Sequence, residues 1–201
     1  MDSQRPYAGR GLQRERIQSC GFAIPWIACA MLATPAHGAE SLVPHWAAVT
    51  AGHGDDVTVY GIARTWNLSR AAVDNSRSPR EIRIVGQLAY WQGNERPTAH
   101  GSLLDISLTP MLRWTIPALG SSRFFAEGGV GGHLLSKTRI NNDRVLSTAF
   151  QFSEQIGAGV TFGPNGRYEV GLYLQHVSNA GIKEPNAGLT HAGITIRAAF
   201  P

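Results

Sequence analysis

The feature that most constrains the fold of this chain is a two-residue alternation of apolar and polar side chains, repeated in long segments. Between residues 104 and 114 the even positions are apolar, from Leu104 to Trp114, whereas Asp105 and Arg113 stand among the odd ones. Successive side chains of a β-strand point to opposite faces, so the pattern predicts strands with one apolar and one polar face. A helical period of 3.6 residues does not persist in the later chain.

Similar segments recur along the chain and predict about eight strands. Their predicted ranges are 45–52, 56–68, 80–92, 102–115, 122–136, 147–162, 168–178 and 189–200. Many are longer than the five or six residues usual in a soluble sheet, as expected of tilted strands that cross a hydrocarbon layer. Tight turns marked by Gly and Pro alternate with longer polar links. These features predict an all-β fold, an eight-stranded antiparallel transmembrane β-barrel of the outer membrane that occupies residues 40–201.

Aromatic residues near the predicted strand ends suggest the interfacial girdles of such barrels. They are Trp66, Tyr90, Trp91 and Trp114.

The first 39 residues have the order of an export signal. An Arg-rich start is followed by the apolar run 20–33 and then by small residues, with cleavage predicted after Gly38 or Ala39. The apolar run is too short for a membrane-spanning helix, which needs about 20 residues. Residues 1–39 are therefore predicted to be a signal peptide and residues 40–201 the barrel domain.

Composition excludes several classes of function. The predicted leader carries four of the 18 basic and two of the 14 acidic residues, which leaves 14 against 12 in the barrel. That balance does not favour nucleic-acid binding. Both cysteines also fall in the leader, so no disulfide framework is expected. No metal-binding or cofactor motif is present, and neither a metal nor a cofactor is predicted. Both a monomer and a homodimer are compatible with the sequence.

Two polar residues interrupt the outward face of the seventh predicted strand. The apolar series that ends at Leu174 continues with His176 and Ser178, where lipid contact is expected. Side chains at i and i+2 share a face and lie roughly 6–7 Å apart, so a modest bend brings imidazole to hydroxyl. A hydroxyl nucleophile needs such a base beside it. The alternative is a polar pair where the strand leaves the bilayer.

A carboxylate in the preceding strand is also misplaced. Glu154 stands within the outward apolar series of the sixth strand. If Pro164, Asn165 and Gly166 form a three-residue turn, Glu154 lies opposite His176, and a two-residue turn would set apolar against polar faces. Glu154 is therefore a candidate acid that orients the imidazole. A structural ion pair at the interface is the alternative.

The link after this strand is rich in residues that bend the backbone and expose amides. Its candidate oxyanion donors are the side chains of Asn179 and Asn186, and Gly181 allows close approach of the backbone. A turn-rich surface loop is the alternative.

At these residues the chain resembles the PagL family of lipid A 3-O-deacylases. The resemblance is strongest over HVSNAGIKEPNAGL, residues 176–189, and extends through FQFSEQIGAG, FFAEGGVG and GSLLDISLTP. It implies an outer-membrane barrel that removes the ester-linked 3-O-acyl chain of lipid A, with lipopolysaccharide of the outer leaflet as its partner. It also implies that Ser178 is the nucleophile, His176 its base and Asn186 a residue of the site loop.

One position departs from the family pattern. Where the family has its acidic residue, four positions after Asn186, this chain has Thr190, which cannot carry a charge. Glu154 is the first candidate for a replacement acid and Glu184 the second. Cationic residues of an outer link, Lys137, Arg139 and Arg144, are candidates for contact with lipid A phosphates or are simply solvated.

Two rival functions follow from the same barrel. One is a noncatalytic outer-membrane barrel with a structural or adhesive role, which Thr190 favours. The other is a soluble lipid carrier whose apolar face lines the lumen.

Overall fold

The structure is a computed structural model that describes residues 46–71, 80–95, 101–117 and 122–200. The predicted signal peptide and its cleavage position at Gly38 or Ala39 lie outside the described residues. Within the described ranges, no helix combines the length and the hydropathy needed to cross a bilayer.

Eight antiparallel strands close into a barrel in which each strand pairs with its neighbours in sequence and the first pairs with the last. They are β1 (Trp46–Gly54), β2 (Val57–Ala71), β3 (Arg80–Gly93), β4 (Ser102–Pro117), β5 (Arg123–Leu135), β6 (Phe150–Phe162), β7 (Tyr168–Ser178) and β8 (Leu189–Ala199). The predicted all-β, eight-stranded barrel is thereby confirmed, and no predicted strand end is off by more than three residues.

The turn between β6 and β7 sets the register of the pair that carries the polar residues. Pro164–Gly166 forms a single 3-10 turn, and Asn165 and Gly166 adopt the left-handed φ values of +55° and +66°. Asn and Gly are the residues that tolerate this region best. The three-residue turn places Glu154 opposite His176, as the alternation predicts.

The apolar side chains of the strands face outward. Ile106, Ile156 and Leu172 are 62%, 63% and 66% exposed, whereas Ser107 and Gln175 are buried inside the barrel. An apolar exterior around a polar interior suits a hydrocarbon surrounding and is the reverse of a soluble carrier. Trp91 corrects the predicted aromatic girdle, because its side chain is fully buried in the interior. It has the same odd parity as Arg83 and Gln87, which places it on the inward face.

The interior has two levels. At the end that carries residues 136–149 and 179–188, here called the loop end, it is apolar. Its cluster consists of Val57, Val59, Ala89, Trp91, Leu103, Leu135, Ile140, Leu146, Val177 and Leu189. Towards the opposite end lies a buried ion-pair network in which Arg113 and Arg197 each bind Glu127 and Glu169. Both levels fill the barrel with side chains.

Candidate functional site

His176 and Ser178 lie on the outer surface of β7 at the loop end. Val177 between them points inward and is fully buried, so its two neighbours share the outward face. Both polar residues are half-buried. The structure therefore places them where the alternation predicts, on the side of the barrel that faces lipid.

Thr190 holds the imidazole of His176 from the neighbouring strand. The two residues pair in the register of β7 and β8, and His176 Nδ1 lies 2.8 Å from Thr190 Oγ1. The hydroxyl oxygen can accept the Nδ1–H proton, which makes Nε2 the basic nitrogen. Thr190 thus occupies the place beside Nδ1 that an acid takes in a catalytic triad.

The other edge of the imidazole turns towards the level of Ser178. A Cβ built on Gly188 would lie 2.9 Å from Cε1 and 3.4 Å from Nε2 of His176. Gly188 directly precedes Leu189, which pairs with Val177 in the register, so it lies at the same end of the hairpin as Ser178. The edge with the basic nitrogen therefore faces Gly188, at the loop end of the barrel where β7 ends at Ser178. Among the hydrogen bonds of the described residues, none joins the two side chains directly, as is common before a substrate binds.

Gly188 provides a test of this geometry. Its φ is +62°, and an added methyl group would displace the imidazole. If His176 is the base that the sequence predicts, Gly188→Ala is expected to lower the rate of ester hydrolysis about 100-fold, because small misplacements of a catalytic group cost about that much. The measurement is fatty-acid release by the purified chain in detergent.

Gly166→Ala is the matched control for Gly188→Ala. Gly166 has a similar φ of +66° but lies in the β6–β7 turn at the opposite end of the barrel. It carries the same backbone penalty, about 1–2 kcal/mol, without the contact to His176. Equal loss of rate in both variants would show that backbone strain, and not the imidazole position, is responsible.

Glu154 lies opposite His176 in the register but does not hold its ring. Its side chain is exposed on the outer face of β6, and in the described part of the chain no hydrogen bond or ion pair joins it to His176. Nδ1 is engaged by Thr190 on the other flank. Glu184 binds the backbone N–H of Asn186 at 2.9 Å and thereby shapes its own loop.

Asn179 organises loop 179–188. Its side chain is fully buried, and Nδ2 donates to the carbonyl oxygens of Leu146 and Lys183 at 2.9 and 2.7 Å. Its Oδ1 accepts the N–H of Gly181 at 2.9 Å. Because these contacts use both ends of the amide, Asn179 and Gly181 stabilise the loop.

Asn186 is oriented differently. The backbone N–H of Asn179 donates to Asn186 Oδ1 at 3.1 Å, which fixes the amide plane and turns Nδ2 to the other side. A backbone N–H can bond only the oxygen of the amide, so the orientation follows from chemistry. In the described part of the chain no hydrogen bond uses Asn186 Nδ2, which leaves this donor for a ligand.

The cationic residues of loop 136–149 have different environments. Arg139 donates to the backbone carbonyls of Asn141 and Asn142, and Arg144 pairs with Asp55 and Asp143, whereas Lys137 is exposed. Of the three cations, Lys137 is therefore the one whose charge is available to an anionic ligand such as a phosphate group. Within the described ranges, no three His, Cys, Asp or Glu side chains are arranged to hold a metal ion.

Asp55, in the turn between β1 and β2, is a residue of the site that the alternation did not reveal. Its Oδ2 accepts the backbone N–H of Thr190 at 2.7 Å, and its Oδ1 lies 3.4 Å from Arg144. The contact spans 135 positions and exists because the barrel closes between β1 and β8. Extending the alternation of β1 beyond His53 would have placed Asp55 on the outward face.

Comparisons with known proteins agree with this fold. The crystal structure of the outer membrane enzyme PagL superposes with a TM-score of 0.67 at 22% identity, over 77% of this chain and 99% of that one. A lipid A deacylase PagL of Pseudomonas aeruginosa is 29% identical over 157 residues, which are 76% of this chain and 84% of the relative.

A lipid A deacylase PagL of Bordetella bronchiseptica is 37% identical over 116 residues. That match covers 58% of this chain and 60% of the relative, so it spans less than two thirds of that protein. The model of the family described as lipid A 3-O-deacylase (PagL) matches residues 60–199, which include every strand from β3 to β8 as well as the candidate site. The chain therefore belongs to the PagL family of lipid A 3-O-deacylases.

Proposed function

We propose that this outer-membrane barrel is an ester hydrolase that removes the 3-O-acyl chain of lipid A, with Ser178 as nucleophile and His176 as base. The observation that carries the proposal is the orientation of His176. Thr190 holds Nδ1, and the opposite edge of the ring faces the level of Ser178. Family membership supplies the substrate class.

The surroundings of Ser178 favour a lipid ester over a soluble one. Phe152 pairs with Ser178 in the register, is 44% exposed and makes an edge contact with the ring of Phe150 at 5.0 Å between centroids. Leu174, next below His176 on the same face, is 45% exposed. These side chains offer an apolar surface to an acyl chain whose ester reaches the serine from the bilayer.

The reaction follows from the roles of these groups. As Ser178 Oγ attacks the ester carbonyl, His176 Nε2 takes the hydroxyl proton, and a tetrahedral oxyanion forms. Collapse breaks the ester bond, leaves the acyl group on Ser178 and returns the proton from Nε2 to the sugar oxygen. Water then attacks the acyl-enzyme with His176 again as base, which releases the fatty acid and restores the serine. Asn186 Nδ2 donates to the oxyanion in both steps.

All of these groups come from one chain, so the reaction does not require a homodimer. The β7–β8 register supplies His176 and Thr190, and the loop that joins the two strands supplies Asn186.

Mass spectrometry of lipid A provides the test. The purified barrel in detergent micelles is expected to remove one ester-linked hydroxyacyl chain from lipid A and to release it as a free fatty acid. Detergent removes any dependence on the native membrane. Unchanged lipid A with a folded barrel would contradict the proposal and favour the noncatalytic barrel.

A further inference from the structure

Among the described residues, no carboxylate directly contacts the His176 ring. The carboxylate of Asp55, however, binds Thr190, the residue whose hydroxyl contacts that ring. Thr190 presents its hydroxyl to His176 Nδ1 at 2.8 Å and its backbone N–H to Asp55 Oδ2 at 2.7 Å. The β1–β8 register pairs His53 with Ala192, so its next outward position sets Asp55 opposite Thr190. His176, Thr190 and Asp55 thus follow one another in a row across three neighbouring chain segments.

The Asp55 carboxylate is held in a defined orientation. The residue adopts a left-handed φ of +47° in its turn, and Arg144 lies 3.4 Å from Oδ1 while Oδ2 accepts the Thr190 N–H. Its side chain is 35% exposed, so water screens the charge only in part. A carboxylate that accepts a backbone N–H forms a charge-assisted bond, which is stronger than a neutral one.

We propose that Asp55 is the carboxylate that supports His176 in this chain, acting through Thr190 as a positioning residue. The inference rests on the proposed function. During attack His176 becomes an imidazolium, and its Nδ1–H donates to the Thr190 hydroxyl. Asp55 fixes Thr190 through its N–H and places a negative charge two hydrogen bonds from the cation, where the protein shields it from solvent in part.

The other charged or titratable side chains around the imidazole lack this connection. Glu154 faces it from β6, Lys183 and Glu184 belong to loop 179–188, and His53 on β1 contacts the Thr58 hydroxyl at 3.1 Å. In the described part of the chain, none of these four is hydrogen-bonded to His176 or to Thr190. Asp55 is the carboxylate that the structure links to the base.

The test compares kcat and KM of Asp55→Asn with those of the unchanged chain, using purified barrels and lipid A in detergent micelles. Asn tolerates the left-handed turn and keeps an acceptor for the Thr190 N–H, so the substitution removes chiefly the charge. We expect kcat to fall about 10-fold to 100-fold, the factor found when a hydrogen-bond partner that orients a metal-binding histidine is removed, with KM changed less than about twofold.

Asp56→Asn is the matched control. Asp56 is the other residue of the same turn, with φ of +56°, and its backbone oxygen rather than its carboxylate accepts the side chain of Asn141. Its substitution removes one negative charge from the same place and is expected to leave kcat unchanged. Equal losses in both variants would overturn the inference, because general turn charge would then account for the effect.

A second experiment distinguishes an effect of the Asp55 charge from an effect of Asp55 on the shape of the turn. In Thr190→Glu a carboxylate can contact Nδ1 directly, so adding Asp55→Asn is expected to lower kcat less than about twofold further. If Asp55→Asn costs the same factor in both backgrounds, Asp55 acts only by shaping the turn, and the inference fails. A loss in Glu154→Gln with none in Asp55→Asn would assign the acid to β6 and overturn it as well.

The outcome for Ser178→Ala keeps the two proposals apart. If that variant stays active, the proposed mechanism fails whatever happens at Asp55. If it is inactive and Asp55→Asn is fully active, only the present inference fails. Heat-dependent gel mobility of each variant verifies that the barrel has folded.

Discussion

Replacement of Ser178 with alanine is expected to abolish deacylation of lipid A, lowering kcat by about 10⁴-fold or more to the background rate. The hydroxyl is the nucleophile of the proposed reaction, and water cannot occupy its place with the same orientation towards His176. Loss of one oxygen atom on the barrel surface leaves the strand pairing of β7 intact, so the barrel is expected to fold normally. Release of hydroxy fatty acid and the mass of lipid A measure the effect.

Ser153→Ala is the matched control for Ser178→Ala. Ser153 lies in the same β6–β7 hairpin and pairs with Val177, but it faces the interior and is 3% exposed. Its hydroxyl lies close to the site along the strand but on the inward face of the sheet. We expect nearly full activity from Ser153→Ala. The opposite result, with Ser178→Ala active and Ser153→Ala inactive, would place the chemistry in the lumen.

The second large effect concerns stability. Arg113→Met is expected to lower the free energy of unfolding by about 3–5 kcal/mol, because it removes one of the two arginines that neutralise the buried carboxylates of Glu127 and Glu169. Arg113 is 1% exposed, binds Glu127, lies 2.5 Å from Glu169 and stacks on the Phe125 ring at 3.7 Å from its centroid. Methionine keeps much of the volume and removes the charge. Urea unfolding in lipid vesicles measures the change.

Arg123→Met serves as the control for charge removal in the same strand. Arg123 opens β5 and is exposed, so its substitution is expected to change the free energy of unfolding by less than about 0.5 kcal/mol. A similar loss in both variants, or none in Arg113→Met, would show that the buried network is not what stabilises this end of the barrel. Lipid A deacylation by any folded Arg113→Met is expected to persist, because the network lies far down the strands from Ser178.

Most of the fold can be predicted from local pattern. In β6 and β7, alternation with period two specifies which side chains face lipid, and a shift of one position would exchange the faces. This parity alone selects the three-residue turn at Pro164–Gly166 and hence the pairing of Glu154 with His176. A position near a strand end predicts that Trp91 belongs to a girdle, whereas its odd parity predicts an inward side chain, and the buried indole follows the parity.

The same reasoning predicts only part of the candidate site. His176 and Ser178 are two positions apart on one strand, so a local rule places them on one face. Pairing in a register, however, does not imply contact between side chains. Glu154 and Thr190 both flank His176, and which of them binds the ring depends on the side-chain rotamer and the space that Gly188 leaves open.

Local sequence pattern is sufficient to predict the strands, their faces and the pair of polar residues, because each of these depends on neighbours a few positions apart. The hydrogen-bond partners of the histidine depend instead on contacts between distant segments. Asp55 reaches Thr190 across 135 residues because the barrel closes, and the closing register between β1 and β8 is set by the tilt and stagger of all eight strands together. No segment of the chain carries that information alone.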